Sequence, residues 1–169
     1  MEMNNAYGIV FRRLAQEDLS LLEKWYNRTD CFGYATGFRD FSDIKEKLYD
    51  PLKMDAWIAM IDRSEDNLTI GFIYGEIKKV EIKTVLWINI LIIEPVYQHK
   101  GHGTSAVKKL LHSAQVQYGP LTCIVAVSDQ NSQGLSFWKK LGFSRSESME
   151  DSLNQLGNSH VAIFKKDLA

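Results

Sequence analysis

A run of nine residues, Val85-Leu86-Trp87-Ile88-Asn89-Ile90-Leu91-Ile92-Ile93, is apolar at every position except Asn89. A strand with one wet face alternates polar and apolar side chains, so a run this continuous predicts a strand covered on both faces. Pro95 ends it, having no N–H to add to a sheet ladder. Beyond a short polar stretch, Gly101-His102-Gly103 opens a segment in which Ala106, Val107, Leu110, Leu111, Ala114 and Tyr118 recur at helical spacing. Gly119-Pro120 stops that helix.

Upstream, Ile9 to Leu14 reads as a first strand and Ala15 to Tyr26 as a helix. Leu19, Leu22, Trp25 and Tyr26 fall at helical spacing, and Glu17 and Asp18 occupy the opening turn, where the helix dipole favours acids. Residues 27 to 50 are less regular and rich in aromatics, with a short helix expected from Ser42-Asp43-Ile44-Lys45-Glu46. Ala56 to Ile61, Thr69 to Ile77 and Thr84 to Ile93 are strand-like, and the short polar breaks between them suit hairpins, hence an antiparallel meander. Downstream, Leu121 to Val127 predicts a buried strand and Asn131 to Leu141 a helix closed by Gly142. Phe143 to Met149 and His160 to Lys166 read as two last strands around a polar loop. The order predicts one α/β (α+β) domain over residues 1–169, with a mixed, mostly antiparallel sheet of about seven strands flanked by helices.

Charge and composition narrow the function. Twenty basic against 21 acidic residues leave a net charge of −1, so no global field gathers nucleic acid. No stretch approaches the roughly 20 apolar residues of a membrane span. The polar start Met1-Glu2-Met3-Asn4-Asn5 lacks the regions of a signal peptide. Two cysteines, Cys31 and Cys123, are too few for a disulfide framework, and Cys123 lies in an apolar run where a buried thiol is expected. The histidines share no metal-ligand spacing with them, so no metal is expected. A cytoplasmic protein is expected, monomer or homodimer, with neither membrane nor nucleic acid as partner.

The glycines admit three readings. They shape a strand-to-helix turn and nothing more. Alternatively, Gly101-x-Gly103-x-x-Ala106 fits a dinucleotide fingerprint, although the first glycine stands well past the strand and the upstream meander does not suit a doubly wound sheet. In the third reading the unpaired amides of the helix's first turn form an anion site that glycine leaves open to a phosphate, with Lys100 adding a cation.

The residues that favour the third reading are Gln98-x-x-Gly101-x-Gly103, after an apolar strand and Glu94-Pro95 with aromatic Tyr97, and Asn131-x-x-Gly134-x-x-Phe137-Trp138 before Gly142-Phe143. Together and in this order they resemble the two central elements of the GNAT superfamily of N-acetyltransferases, and the likeness covers essentially the whole chain. It implies acetyl-coenzyme A as cosubstrate and a small-molecule or peptide amine as acceptor. The pyrophosphate would then sit on the amides of His99, Lys100, Gly101, His102, Gly103 and Thr104, behind Gln98. The pantetheine arm would pair like an added strand with the run holding Leu91, Ile92 and Ile93, and Asn131, Phe137, Trp138 and Lys140 would complete the cofactor side.

The same resemblance exposes two departures. An alkyl ammonium has a pKa of about 10.4 and must lose a proton before it attacks. Where many relatives carry an acidic base this chain has Asn89 and Ile90, and where many carry a tyrosine acid it has Trp138. Asn89 orienting a water, or Glu76 or Tyr74 on the preceding strand, are the candidates for the proton's route. For Glu76 the competing expectation is an outward-facing strand residue. Asp30, Asp40 and Asp43 share the aromatic segment with Phe32 and Tyr34, a composition suited to a cationic amine and equally to a solvated loop. A coenzyme A-binding module without turnover is the alternative function.

Overall fold

The computed structural model of the chain describes residues 7–37, 39–48, 56–154 and 161–169. Its strands are β1 (Ile9–Arg12), β2 (Ala56–Arg63), β3 (Thr69–Val80), β4 (Lys83–Ile93), β5 (Leu121–Ser128), β6 (Ser144–Arg145) and β7 (Val161–Leu168). Its helices are α1 (Leu19–Asn27), α2 (Thr29–Thr36), α3 (Phe41–Leu48), α4 (His102–Tyr118), α5 (Ser132–Lys140) and α6 (Glu147–Asn154). The strands form one sheet in the order β1-β2-β3-β4-β5-β7-β6. All neighbours are antiparallel except β4 and β5, and that parallel pair is joined by the crossover through α4.

The double coverage expected of the apolar run is present. Leu86, Ile88 and Ile93 pack into one core with Ala106, Val107 and Leu110 of α4, while Ile90 and Ile92 pack into a second core with Trp25, Tyr26, Phe32, Phe41 and Ile44 from α1, α2 and α3. The antiparallel meander of β2, β3 and β4 also stands as expected, and it rules out the doubly wound sheet that a dinucleotide fingerprint needs. Cys123 is fully buried, and burial pushes its thiol pKa up to about 12.

Two expectations are corrected. The first part of the segment read as irregular holds α2, eight residues long and fixed by burying Phe32, while the short helix expected from Ser42 is present as α3, which buries Phe41, Ile44 and Leu48. The strand expected over Phe143 to Met149 lasts two residues. Ser146 N donates to Ile163 O (2.7 Å), and the chain then turns into α6, whose first turn holds Glu147 and Glu150 where the dipole favours them. Glu150 also accepts from Arg145 Nη2 at 2.6 Å, which ties the helix to β6. The last strand begins at Val161, and His160 lies outside the described residues. Among the described residues no helix is long and apolar enough to cross a membrane.

Candidate functional site

A break in the sheet creates the site. Along β3 and β4 the register runs Tyr74↔Ile90 and then Gly75↔Ile88, so Asn89 is an extra residue with no partner on β3. Such a bulge bends its strand and re-aims side chains. On the other side of β4, pairing with β5 runs from Val85↔Thr122 to Ile88↔Val125 and stops at the same place. Beyond it β4 continues to Ile93 and β5 to Ser128. A cleft of ≈ 760 Å³ opens there, lined by Asn89, Leu91 and Ile93 on one wall and Ala126, Val127 and Ser128 on the other. That volume lies within the range of small-ligand sites.

The glycine loop crosses the cleft's end. Glu94 N donates to Ile70 O (2.8 Å), Pro95 to Tyr97 form one turn of 3₁₀ helix, and Gln98 Nε2 donates to Ile93 O at 2.7 Å, which fastens the loop to the end of β4. His99 (φ 60) and Gly101 (φ 86) are left-handed, and α4 begins at the next residue. Alternating backbone handedness of this kind directs successive amides toward one point, the geometry that receives anions. Gly103 stands beside the Phe137 ring, so that a Cβ at 103 would reach Phe137 Cε2 at 3.4 Å. The loop and α5 therefore pack side by side.

The sequence-based candidates divide by position. Asn89, Leu91, Ile93, Gln98, His99, Gly101, Gly103, Thr104, Asn131, Phe137, Trp138 and Lys140 all line the cleft. Ile92 does not: its side chain is 1% exposed, buried toward the N-terminal helices. Lys100 and His102 line a separate hollow with Gly8, Arg63, Ser64 and Glu65. There Tyr97 has Arg63 on its ring at 5.0 Å and Lys100 at 5.9 Å, and burial first, then Arg63 and Lys100, lowers the His102 pKa. Asn131 caps α5, its Oδ1 accepting from Gly134 N at 2.9 Å. Trp138 is buried edge-on between Phe137 and Phe143, with both ring centroids at 5.0 Å.

Glu76 is half-buried, accepts a hydrogen bond from Tyr74 Oη, and has Lys78 Nζ at 3.7 Å; it is absent from the cleft wall. It is thus neither a cleft residue nor the plain solvent-facing residue that alternation suggested. Among the described residues no group of three or more His, Cys, Asp or Glu side chains is placed to hold a metal.

Sequence reasoning missed two contributors. Gln133 of α5 reaches the loop, its Nε2 lying 3.1 Å from His99 Nε2. Glu94 accepts from Trp25 Nε1 at 2.5 Å and pairs with Arg28 at 3.3 Å, linking the base of the loop to α1 and the start of α2. An acid directly before a proline at the end of the apolar run was the available signal.

The chain's sequence matches the model of the Acetyltransferase (GNAT) family over residues 17–143. It therefore belongs to that family. Among solved structures it resembles the spermidine N-acetyltransferase of Vibrio cholerae, determined in complex with CoA and spermine, at 15% identity and a TM-score of 0.71 over 95% of each chain. It also resembles the Salmonella typhimurium acetyltransferase that modifies the N-terminal serine of the 50S subunit protein L7/L12, at 9% identity and a TM-score of 0.72 over 96% of each chain. A domain from Methanocaldococcus jannaschii is similar at 18% identity and a TM-score of 0.69, over 95% of this chain and 98% of that one. Among curated proteins none matches the sequence.

Proposed function

We propose that the protein transfers the acetyl group of acetyl-coenzyme A to a primary amine. The observation that carries this reading is the parting of β4 from β5 at the Asn89 bulge, with the glycine loop at the end of the opening. A pantetheine arm fits along the freed edge of β4 at Leu91 and Ile93, as a strand adds to a sheet. The amides of 99–104 then face the pyrophosphate. Gln98, bonded to Ile93 O, supports the loop from behind rather than through its own contact with the ligand.

In the reaction the ammonium first gives one proton to water. The amine nitrogen then forms a bond to the thioester carbonyl carbon, the carbon–sulfur bond breaks, and the nitrogen's second proton passes through water to the departing thiolate, leaving the amide and the free thiol. A main-chain amide of β4 beside the carbonyl stabilises the developing oxyanion, a contribution of about 3 kcal/mol in comparable acyl transfers. Asn89 is the polar side chain that the bulge exposes at this point, and its amide orients the water that receives the proton. Trp138, packed in the core, has no part in proton transfer.

Acetyl-CoA at about a hundred times its Kd is expected to stabilise the protein by about 2.7 kcal/mol in a thermal shift, and NAD not at all. Stabilisation by NAD alone would discard the reading. Thiol release with a panel of amines separates an enzyme from a coenzyme A-binding module, which releases none.

Asn89→Ala is expected to lower kcat about tenfold, the equivalent of one hydrogen bond near 1.4 kcal/mol. Glu76→Gln is expected to leave the pH profile of kcat/KM unchanged. A shifted limb in that profile would instead move the proton-accepting role to Glu76.

A further inference from the structure

The cleft has a second lining surface that the acetyl-transfer chemistry does not use. Asp30, Cys31, Tyr34 and Ala35 of α2 face it, across from Asn89, Ile90 and Leu91. Asp30 and Tyr34 stand four residues apart, one above the other on a single helix face. The helix is held from behind, since Phe32 is 2% exposed and its ring packs edge-on against Trp25 at 6.4 Å. Arg28 pairs with Glu94 (3.3 Å) and donates to Cys31 Sγ (3.3 Å), and Cys31 Sγ in turn donates to Asp30 Oδ2 at 3.6 Å. Among the described residues Asp30 forms no salt bridge, and its carboxylate lines the cleft, where Lys140 also stands. The Tyr34 ring, 49% exposed, adds an aromatic face beside it. A carboxylate and a ring together recognise an ammonium.

We propose that Asp30 and Tyr34 bind a second ammonium of the acceptor, so that the preferred substrate is a flexible diamine or polyamine, with one nitrogen acetylated beside Asn89 and the other held on α2. The assignment rests on the acetyltransferase reading above. A carboxylate that served only the reacting nitrogen would treat monoamines and diamines alike.

The test compares putrescine with butylamine, which has the same carbon chain and lacks the second nitrogen, on wild type and Asp30→Asn. Wild type is expected to favour putrescine at least tenfold in kcat/KM. Asp30→Asn is expected to erase that preference by raising KM for putrescine with kcat kept, the pattern of lost ground-state binding. Its activity on butylamine should stay at the wild-type level. Equal use of both amines by wild type, or an unchanged preference in Asp30→Asn, overturns the proposal while leaving acetyl transfer intact. Acetyl-CoA thermal shift on both proteins separates the two failures: with no acetyl-CoA stabilisation in wild type, the underlying reading falls and this one with it. Should no amine release thiol, putrescine stabilisation read directly, present in wild type and lost in Asp30→Asn, remains the deciding measurement, and its absence from wild type overturns the site.

Discussion

Replacing Gly71 with alanine is expected to cost about 3 kcal/mol of stability and to weaken acetyl-CoA binding in the same step. A Cβ at this position would lie 2.2 Å from the carbonyl oxygen of Ile92 and 2.9 Å from Ile93 Cδ1. A side chain in the way can rotate; a main-chain oxygen in the centre of a sheet cannot. Gly71 pairs with Ile93 and the neighbouring Phe72 with Ile92, so the only relief is to move β3 and β4 apart where both are buried. That displacement falls on the carbonyl of Ile93, which accepts from Gln98 and so anchors the glycine loop. At about 2–4 °C per kcal/mol for a chain of this size, the melting temperature should drop by roughly 6–12 °C. Gly103→Ala is the matched control for stability without acetyl-CoA: its Cβ would meet Phe137 at 3.4 Å, an ordinary contact, and a small change in the ligand-free melt is expected. Thermal unfolding with and without acetyl-CoA reads both effects. A Gly71→Ala protein that melts with wild type would mean the strands yield more readily than a central pair should.

What was legible in the sequence followed from local rules. The meander showed because its polar breaks are short, and the glycine loop showed because glycine and proline punctuate a chain wherever they stand. The bulge was hidden. Ile88 and Ile90 are two apart, so strand alternation puts them on one face, yet Ile88 lies in the core under α4 and Ile90 in the core under α1 to α3. Only the pairing with β3 shows that Asn89 is supernumerary, and pairing is a property of two segments. The region of α2 was obscured for a similar reason. Its helix is short, and of its aromatics Phe32 is buried while Tyr34 is exposed, so no single apolar stripe marks it. Phe143 to Met149 misled because the apolar residues at its two ends, Phe143 and Met149, outweighed the acidic start of α6. The residues of the glycine loop and of α5 that line the cleft were thus readable from motif spacing, whereas the α2 residues that join them there are brought in by tertiary packing.

The largest electrostatic effect is expected at the opposite end of the sheet, where Arg12→Met should cost about 3 kcal/mol at neutral pH. Arg12 on β1 donates from Nε to Asp62 on β2 (2.9 Å) and from both terminal nitrogens to Asp18 (2.9 Å each). Thr69 on β3 completes the cluster, donating to Asp62 at 2.7 Å. The side chains of Asp18 and Asp62 are only 12% and 10% exposed, so removing the guanidinium leaves two carboxylates with little water to replace it. Asp18 also accepts from Ala15 N at 2.7 Å and so shapes the turn that starts α1. The Arg12 hydrogen bond, ahead of the Ala15 amide, holds the Asp18 pKa below its ordinary value despite the opposing effect of burial. A carboxyl with a depressed folded-state pKa binds more protons unfolded than folded across the interval between the two values. Its stabilisation is therefore complete above the unfolded pKa of about 3.9 and is lost as pH falls through the folded value. Asp18→Asn removes that ionisation, so its stability deficit against wild type should be constant from neutral pH to about pH 5 and should narrow below about pH 4. Urea melts of both proteins across that range measure the gap directly. A gap that widened toward acid would show that the Asp18 carboxylate is destabilised by the fold rather than held by Arg12.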